Sequence, residues 1–310
     1  MELSIDNHSS YPLSTPRPAA ADTAAAGAAI DAVVHAQEEA GLDVVTDGQV
    51  RWADPVSPLM GRLDGVRLGA AVRYFDTAVQ YRQPVVVGAL RRRGPILCDD
   101  FAMATRAARA RVKAVLVGPY TLARLSRIEA GPYADVIALA HALGEVLADE
   151  VKDLVAVGAR LIQVDEPAIL FHPADVRTLR AVLEPLWLAR GAAQLSIATY
   201  FGDAEPLYAQ LDSLPADIVA VDCICGPALP ELIAAVGGAK VLALGLVDGR
   251  EPRVESPDRV ARQVESMLKR YTLDAIHLQP SCGLGYLPPA AARAKLDVLR
   301  AAGARIRSLA

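Results

Sequence analysis

The sequence has few aromatic residues, few cysteines and no long apolar run, and each shortage excludes a class of protein. Aromatic residues are 5% of the 310 residues although 53% are hydrophobic, so the core must consist mainly of Ala, Val, Leu and Ile. Four cysteines are too few for a disulfide scaffold in a chain of this size. No run of roughly 18 apolar residues occurs, so we expect no membrane-spanning helix. These features predict a reduced, cytoplasmic protein.

The chain also lacks a surplus of positive charge. Its 32 Lys and Arg residues are outnumbered by 36 Asp and Glu residues, which gives a formal net charge of −4 at pH 7. Proteins that bind nucleic acid usually carry clustered positive charge. The run Arg91–Arg93 is short and typical of a solvated loop. We therefore expect small-molecule substrates, and neither a nucleic acid nor a membrane as a partner.

A strand followed by a helix recurs along the chain without any repeat of the sequence itself. Short β-rich runs end at polar or Gly/Pro clusters, and Ala-rich helical stretches follow. The predicted strands are Glu2–Asp6, Leu42–Thr46, Ala114–Val117, Leu161–Val164, Leu195–Thr199, Ile218–Val221, Val241–Leu246 and Ala275–Leu278. The predicted helices run from about Ala19 to Ala40, Ala174 to Leu188, Glu205 to Leu211, Pro230 to Ala235, Ser256 to Tyr271 and Pro289 to Ala302.

Eight strands that alternate with helices indicate a parallel sheet in an α/β protein. Eight strands close economically into a barrel, because their inward side chains can fill the interior. An open, doubly wound sheet is the alternative, but no G-x-G-x-x-G motif follows the first strand, and the polar clusters are spread over all the strand ends. The sequence thus predicts one domain over residues 1–310, a (β/α)8 TIM barrel.

The segment from Val50 to Asp99 interrupts this alternation between strands two and three. It contains the run VRYFDTAVQYRQPVVV, whose alternation of apolar and polar residues is typical of a β-hairpin. Insertions at the carboxyl end of a barrel often form lids over the active site. A cluster of polar and aromatic residues favours a lid over the alternative, a loop without function. Its members are Arg73, Tyr74, Asp76, Tyr81 and Arg82.

Acidic residues recur directly after the predicted strands, and in a barrel these positions all surround one mouth. They are Asp47, Asp165, Glu166, Asp222 and Asp248. Any single Asp in such a place can be a helix cap, but five together indicate a site that binds a cation, a metal ion or a substrate amine. Pro167 ends the fourth strand, so one of the two acids before it should face the barrel lumen and the other the neighbouring loop.

Cysteine gives a second set of candidates. Cys282 follows the last strand, where a thiol can ligate zinc or act as a nucleophile; the alternative is a small buried hydrophobic residue. Cys223 and Cys225 are a weaker ligand pair, because zinc-binding pairs usually have two or more intervening residues. Neither H-x-x-x-H nor C-x-x-C occurs, and of the five histidines only His8 and His172 lie near strand ends.

Eight segments carry a more specific signal, because they follow one another in a fixed order over nearly the whole chain. They are SSYP at 9–12, AGLDVVTDGQ at 40–49, RYFDT at 73–77, LVGPYTLARLS at 116–126, LIQVDEPAI at 161–169, ATYFGD at 198–203, LGLVDGREPR at 244–253 and QPSCGLGYLP at 279–288. Together they resemble the cobalamin-independent methionine synthase family. The resemblance implies transfer of a methyl group from a methylated folate to the thiol of homocysteine, with zinc lowering the thiol pKa.

The resemblance also implies roles for individual residues. Ser10 would bind the carboxylate of the amino acid and Asp165 its ammonium group, and the segment Gly118–Ser126 would lie near the folate. Asp222 and Cys282 would be zinc ligands. The full set of candidate substrate-binding residues is Ser10, Tyr11, Gln49, Asp165, Glu166, Tyr120 and Thr121, and the candidate catalytic residues are Asp165, Asp248 and Arg250.

Several positions depart from the family pattern. The catalytic barrel of the family carries a His-x-Cys pair after the fifth strand, where this sequence has Ile197 and Thr199. A catalytic histidine is replaced by Arg250, and an amino-binding glutamate by Gln49. Family enzymes are long chains of two similar barrels, and this sequence looks closer to the zinc-free first barrel, standing alone.

Three functions follow from these observations. The first is an S-methyltransferase with a reduced metal set of Asp222 and Cys282, helped by Cys223 or Cys225. The second is a zinc-free, folate-binding partner of a separate catalytic barrel subunit. The third is a uroporphyrinogen decarboxylase-like enzyme, for which arginines at the mouth would bind substrate carboxylates. Its candidate arginines are Arg51, Arg73, Arg82 and Arg250.

Overall fold

The structure is a computed structural model that describes residues 2–19, 22–268 and 275–308. Its strands are β1 Glu2–Ile5, β2 Val44–Val45, β3 Leu63–Arg73, β4 Gln80–Arg92, β5 Arg111–Val112, β6 Ala114–Val117, β7 Arg127–Ile128, β8 Leu161–Asp165, β9 Gln194–Thr199, β10 Ile218–Asp222, β11 Val241–Val247 and β12 Ala275–Pro280. Its α-helices are α1 Thr23–Glu39, α2 Ser57–Met60, α3 Cys98–Ala107, α4 Pro119–Arg124, α5 Val136–Ala156, α6 Val176–Ala189, α7 Tyr208–Asp212, α8 Leu229–Val236, α9 Pro257–Leu268 and α10 Pro289–Arg307. Within these ranges, no helix is both long and apolar enough to cross a membrane.

Eight strand positions close into a parallel barrel. Seven strands lie side by side in the order β1-β12-β11-β10-β9-β8-β6. The gap between β1 and β6 is filled by β2, which pairs with β5 and is joined to β1 by a bridge between Asp6 and Val44. Lys113 separates β5 from β6, and its N–H donates to the Val45 carbonyl at 2.9 Å. The third barrel strand is therefore β5 and β6 in succession, and the predicted (β/α)8 barrel is confirmed.

The predicted strands and helices agree with the structure in position more than in length. The second strand was expected over Leu42–Thr46, but only Val44 and Val45 form a ladder. The first helix begins at Thr23, where Asp22 caps it by accepting from the Ala25 N–H at 2.9 Å. Parts of two predicted helices, residues 20–21 and 269–271, lie outside the described residues. The sequence analysis placed no helix at 136–156, where α5 runs for 21 residues.

The barrel interior is more polar than is usual for this fold. Ala198, Ala220 and Ala243 on β9, β10 and β11 belong to a small apolar cluster separate from the main core. Bulky branched side chains usually fill a TIM barrel. Lys113 and Gln163, which are 3% and 0% exposed, also lie inside the barrel, where the small residues leave room for them. A column of polar side chains consequently runs inside the barrel toward its mouth.

The segment between the second and third barrel strands forms two long antiparallel strands, β3 and β4. At its base, Arg92 donates to Glu150 of α5 at 2.5 Å. At its tip, Phe75 stacks on Phe171 with ring centroids 5.2 Å apart and an interplanar angle of 20°. The tip therefore lies against the loops at the carboxyl end of the barrel.

Candidate active site

A cavity of about 400 Å³ opens at the carboxyl end of the barrel. Ser9 and Ser10 after β1 line it together with Gly283 and Gly285 after β12. Two acids and four rings complete much of the wall: Asp54, Asp165, Tyr11, Trp52, Tyr200 and Tyr286. Volumes of this order are typical of sites for small molecules.

Asp165 presents a carboxyl group to this cavity from the end of β8. It is 2% exposed, and its two oxygens accept from different donors. Gln163 Nε2 lies 2.8 Å from Oδ1, and the Tyr200 hydroxyl lies 3.1 Å from Oδ2. Burial raises the pKa of Asp165 to about 6, although these hydrogen bonds and the charge of Lys113 act in the opposite direction. Asp165 is therefore mostly ionised at pH 7 and can bind a cation.

Glu166 points away from the cavity, toward the first turn of α4. Its carboxylate accepts from the N–H groups of Tyr120 and Thr121, at 3.0 and 2.7 Å. Burial raises its pKa to about 7. Tyr120 and Thr121 are themselves fully buried. These three residues were predicted to bind substrate, but the structure uses them as a joint between β8 and α4, because the helix start needs an acceptor for its free N–H groups.

The remaining predicted substrate-binding residues, Ser10, Tyr11 and Gln49, line the cavity with Asp165. Ser10 Oγ accepts from the Gly285 N–H at 3.2 Å, so its own hydroxyl hydrogen is available to a ligand. Gln49 has a positive φ of 53°, in a tight turn after Gly48 at φ 67°. This turn places the Gln49 side chain on the wall of the cavity.

Asp222 is held in place by the backbone around it. The residue is fully buried. Its Oδ1 accepts from the N–H groups of Ile224 and Cys225, both at 2.9 Å, and its Oδ2 accepts from the Phe201 N–H at 3.2 Å. Both oxygens of this predicted metal ligand are thus engaged within the protein.

Arg250 brings a positive charge to the thiols and acids beside Asp222. Its Nη2 donates to Cys225 Sγ at 3.2 Å, and its backbone N–H donates to Asp248 Oδ1 at 2.8 Å. The guanidinium also lies 5.7 Å from the ring centroid of Phe201. Cys282 is fully buried nearby, and burial raises its pKa well above the ordinary value, so its thiol stays protonated.

A second cavity, of about 590 Å³, adjoins the first under the hairpin tip. Arg250 and Thr77 line it, and Val79, Gly285 and Tyr286 line both cavities. A ligand that fills the first cavity would therefore meet one in the second near Tyr286.

Most of the aromatic rings at the mouth were missed as site residues by the sequence analysis. Three of the four phenylalanines and three of the nine tyrosines form one contact cluster there: Tyr74, Phe75, Phe171, Tyr200, Phe201 and Tyr286. In a chain with 5% aromatic residues, this concentration was a usable signal, since four of the six lie in the quoted RYFDT and ATYFGD segments.

Three other candidates, Asp47, His172 and His8, do not line the cavity. Asp47 is close to Asp100, which pairs with Arg51 at 2.6 Å. Burial and the neighbouring Asp100 carboxylate raise the pKa of Asp47 to about 7.

The two candidate histidines differ in burial. His172 is exposed. His8 is buried against Tyr200, with its Nδ1 3.0 Å from Ser9 Oγ, so it supports the wall from behind.

Known proteins with similar sequences give this geometry its context. A family profile described as "Cobalamin-independent synthase, Catalytic domain" matches residues 17–305. The protein named Methionine synthase in Saccharolobus solfataricus is 32% identical over 272 residues, which are 86% of this chain and 80% of that protein. The protein of the same name in Sulfolobus acidocaldarius is 29% identical over 270 residues, 86% of this chain and 78% of that protein. The chain belongs to the cobalamin-independent methionine synthase family.

Solved structures share the fold of this family member. The B12-independent methionine synthase from Shewanella sp. W3-18-1, determined with selenomethionine, has a TM-score of 0.87 and 22% identity over 100% of this chain and 99% of that chain. A methyltransferase from Methanosarcina mazei has a TM-score of 0.68 and 13% identity over 96% and 94%. The predicted methyltransferase barrel is confirmed by the family match.

The Saccharolobus relative does not have the two-barrel chain that is expected of the family. The 272 aligned residues are 80% of the Saccharolobus protein, so that relative has the length of one barrel. The matching family profile is that of the catalytic domain, so the predicted likeness to a zinc-free first barrel gains no support.

The zinc ion that the family resemblance implies does not fit the residues of this chain. Catalytic zinc needs about three protein ligands, and no three His, Cys, Asp or Glu side chains converge within the described ranges. Ile197 and Thr199 offer no imidazole or thiolate, both oxygens of Asp222 are engaged, and Arg250 already holds a positive charge beside Cys225. The predicted pair of Asp222 and Cys282 is therefore left without a third ligand.

Of the four arginines expected of a decarboxylase, Arg250 lines the second cavity, and the other three line neither mouth cavity. Arg51 pairs with Asp100, and the Arg73 side chain is 71% exposed. Arg82 donates to the Gly69 carbonyl at 2.6 Å within the hairpin. The geometry gives the decarboxylase alternative no support.

Proposed function

We propose that this protein transfers a methyl group from a methylated folate to the thiol of a small amino acid of the homocysteine type. The observation that carries the proposal is the buried, ionised Asp165 on a cavity of amino-acid size. Membership of the family, whose relatives are named methionine synthases, supports the reaction class.

The amino acid would be held at both of its polar ends. Asp165 would bind the ammonium group, since both donors that already contact it, Gln163 and Tyr200, are neutral and leave its charge uncompensated at close range. The Ser10 hydroxyl would donate to the carboxylate. The side chain would then extend past Tyr286 toward Arg250. The structure of the Shewanella protein, which has the same fold, was determined with selenomethionine. In this amino acid a methylated selenium replaces the methylated sulfur of methionine.

In the reaction, the sulfur of the acceptor attacks the methyl carbon of the donor. The carbon–nitrogen bond of the donor breaks and its electron pair stays on the donor nitrogen. The thiol loses its proton and the donor nitrogen takes one up, so the reaction neither consumes nor releases a proton. Arg250, whose Nε lies 3.6 Å from Asp248 Oδ1, would stabilise the negative charge on the acceptor sulfur by its own charge. The donor would enter through the second cavity, under the hairpin tip at residues 76–79. The hairpin would act as a lid.

We propose that the barrel works as a stand-alone enzyme in the cytoplasm. The Saccharolobus relative also has the length of one barrel, which supports independence from a separate catalytic subunit. All four cysteines of the chain are free, as is usual for proteins in a reducing compartment.

The first test replaces Asp165 with Asn, which keeps the shape and removes the charge. Loss of a charge-assisted hydrogen bond to the ammonium group should weaken homocysteine or methionine binding about 10- to 100-fold. Binding of the methylated folate should stay near the wild-type value. Isothermal titration calorimetry of both ligands measures the two effects.

A matched control is Asp43→Asn, at the opposite end of the barrel, where the aspartate accepts from the Ile5 N–H at 2.9 Å. It should leave both affinities unchanged. If the wild type binds no amino acid, or if Asp165→Asn reduces folate affinity alone, the assigned role of Asp165 is wrong. The folate-binding partner module is then the better explanation.

A further inference from the structure

Lys113 is a buried lysine that is linked to a residue of the cavity wall by the side chain of Gln163. It lies between β5 and β6, is 3% exposed and does not line the cavity. Its Nζ donates to Gln163 Oε1 at 2.8 Å, and Gln163 Nε2 donates to Asp165 Oδ1 at 2.8 Å. Gln163 is fully buried. A continuous hydrogen-bonded chain therefore leads from an ammonium group in the barrel centre to the carboxylate at the mouth.

We propose that Lys113, acting through Gln163, is a positioning residue that keeps Asp165 ionised and correctly oriented for the substrate ammonium. This inference rests on the proposed function of Asp165. Gln163 has a carbonyl oxygen and an amino group that could exchange places. Lys113 can only donate, so it fixes the oxygen on its own side and the amino group toward Asp165. Without Lys113, a flipped amide would turn its oxygen toward the carboxylate and repel it.

The other groups around Asp165 do not supply this positive charge. Tyr200 contacts it, and Tyr74 and Tyr286 lie nearby; burial raises the pKa of all three, so they stay neutral. Burial lowers the pKa of His8 well below its ordinary value, so that ring is neutral too. Glu166, the next residue, carries charge of the same sign as Asp165.

Two carboxylates, one on each side, favour the charged form of Lys113. Burial lowers the pKa of Lys113, whereas the carboxylates of Asp6 and Asp165 raise it. Asp6 is in turn held by His277, whose Nδ1 lies 2.8 Å from Oδ2. Lys113 thus faces one acid below it in the barrel and one above it at the mouth.

The test measures the ionisation of Asp165 directly, in the ligand-free protein. Carbon-13 NMR of protein labelled at aspartate would follow its carboxyl carbon, identified by its loss in Asp165→Asn. The wild-type midpoint should lie at about pH 6. Lys113→Met removes the positive charge, so the charged form of Asp165 is less favoured and the midpoint should rise by about one pH unit. Lys113→Arg should return it toward the wild-type value.

Gln163→Met offers a second variant that retains the lysine. It breaks the bridge at similar side-chain volume, so the Asp165 midpoint should also rise, and methionine affinity should fall at every pH. Lys295→Met is the matched control, because Lys295 is a fully buried lysine that pairs with Glu255 at 2.8 Å, away from the cavity. It should lower stability and leave the midpoint unchanged.

The outcomes separate this inference from the proposed function. If Lys113→Met and Gln163→Met fold and keep the wild-type midpoint, the lysine is merely structural and the inference is wrong, whatever the substrate. If the midpoints shift as expected but Asp165→Asn binds amino acid as well as the wild type, the positioning chain stands and the substrate role of Asp165 fails.

Discussion

Two adjacent acids, Asp165 and Glu166, have opposite uses in this barrel. Asp165 ends β8 inside the lumen, with its charge open to the cavity. Glu166 turns outward, where the free N–H groups of α4 take up its carboxylate. The difference arises because side chains alternate between the two faces of a strand. A single step along the chain thus separates a carboxyl group on the cavity from one that holds a helix start.

The position of the Glu166 carboxylate depends on the absence of a side chain at Gly118. A Cβ at this position would overlap the Glu166 carboxylate. Gly118→Ala should therefore force the buried acid out of its place and destabilise the protein by about 1–3 kcal/mol, the usual range for overpacking. The free energy of unfolding in urea, measured by circular dichroism, checks this.

Gly27→Ala is the matched control for that substitution. Gly27 lies inside α1, and its nearest neighbour to an added Cβ is Met103 Sδ at 4.0 Å. Alanine should be neutral or stabilising there, by up to about 1 kcal/mol, because glycine is a poor helix former. Equal unfolding energies for wild type and Gly118→Ala would mean that Glu166 can move without loss, against the proposed joint.

The local sequence pattern predicted that Asp165 and Ser10 lie at the mouth of the barrel. It did not predict the buried residues that support Asp165 from inside the barrel. Polar residues after strands are visible in the sequence, because a barrel gathers its strand ends at one mouth. The predicted third strand begins at Ala114, and the sequence analysis assigns no role to Lys113. A charge inside a strand is stable only with partners, and its partners, Asp6 and Gln163, come from other parts of the chain. No local pattern shows that pairing.

At the scale of elements, the hairpin of β3 and β4 links the outside of the barrel to its mouth. Its base is fixed to α5 by Arg92 and Glu150, and its tip meets the mouth through aromatic rings. Tyr74 at the tip is fully buried, with its hydroxyl 3.3 Å from that of Tyr200. A fixed base and a tip held by a few ring contacts are suited to a lid that opens at one end.

The stacked pair Phe75 and Phe171 gives a test of this lid. Aromatic pairs contribute about 0.5–1.5 kcal/mol beyond simple burial. A double-mutant cycle with Phe75→Ala and Phe171→Ala should give a coupling energy of that size. The single variants should speed methionine dissociation, measured by stopped flow, since the closed tip is less favoured.

A distant aromatic contact serves as the control for the lid. Trp187 lies on α6, with its ring 3.3 Å from the Arg190 guanidinium, far from the cavity wall. Trp187→Ala should leave methionine dissociation unchanged. Unchanged dissociation in Phe75→Ala as well would show that the hairpin tip does not govern access to the site.

Elements were predicted well where strands are buried and bounded by turns, as at Leu161 and Ile218. The predicted length of a strand was wrong where that length depends on the neighbouring strands with which it pairs. β2 pairs at only two residues, since the sheet is completed there by a bridge to β1 and by β5. The hairpin tip was assigned from its alternation, but the contacts of Phe75 with Phe171 join segments far apart in sequence, and no periodicity reports them.

At the scale of the whole molecule, the metal content distinguishes this protein from the pattern its family resemblance implies. Purified protein should contain far less than one zinc per chain by mass spectrometry of the metal, even after incubation with zinc and removal of the excess. The reason is the incomplete ligand set together with the guanidinium of Arg250 beside Cys225. Added chelator should leave methionine affinity unchanged.

About one zinc per chain, lost in Cys282→Ala, would contradict this expectation and restore Cys282 as a ligand. Cys98→Ala is the control, since Cys98 begins α3 and does not line either mouth cavity. It should not alter the metal content in any case.

The closure of the barrel has a consequence for how the protein becomes active during its synthesis. β1 pairs with β12, about 270 residues later, and the cavity wall joins Ser10 to the Gly285 backbone across the same seam. A nascent chain that lacks β12 can form its middle strands and helices, but it holds only one side of this cavity. Because the contacts that complete the site span nearly the whole sequence, they form late. The cavity is therefore completed only after β12 and the loop that follows it have been synthesised, and a chain truncated before β12 would lack one of its walls.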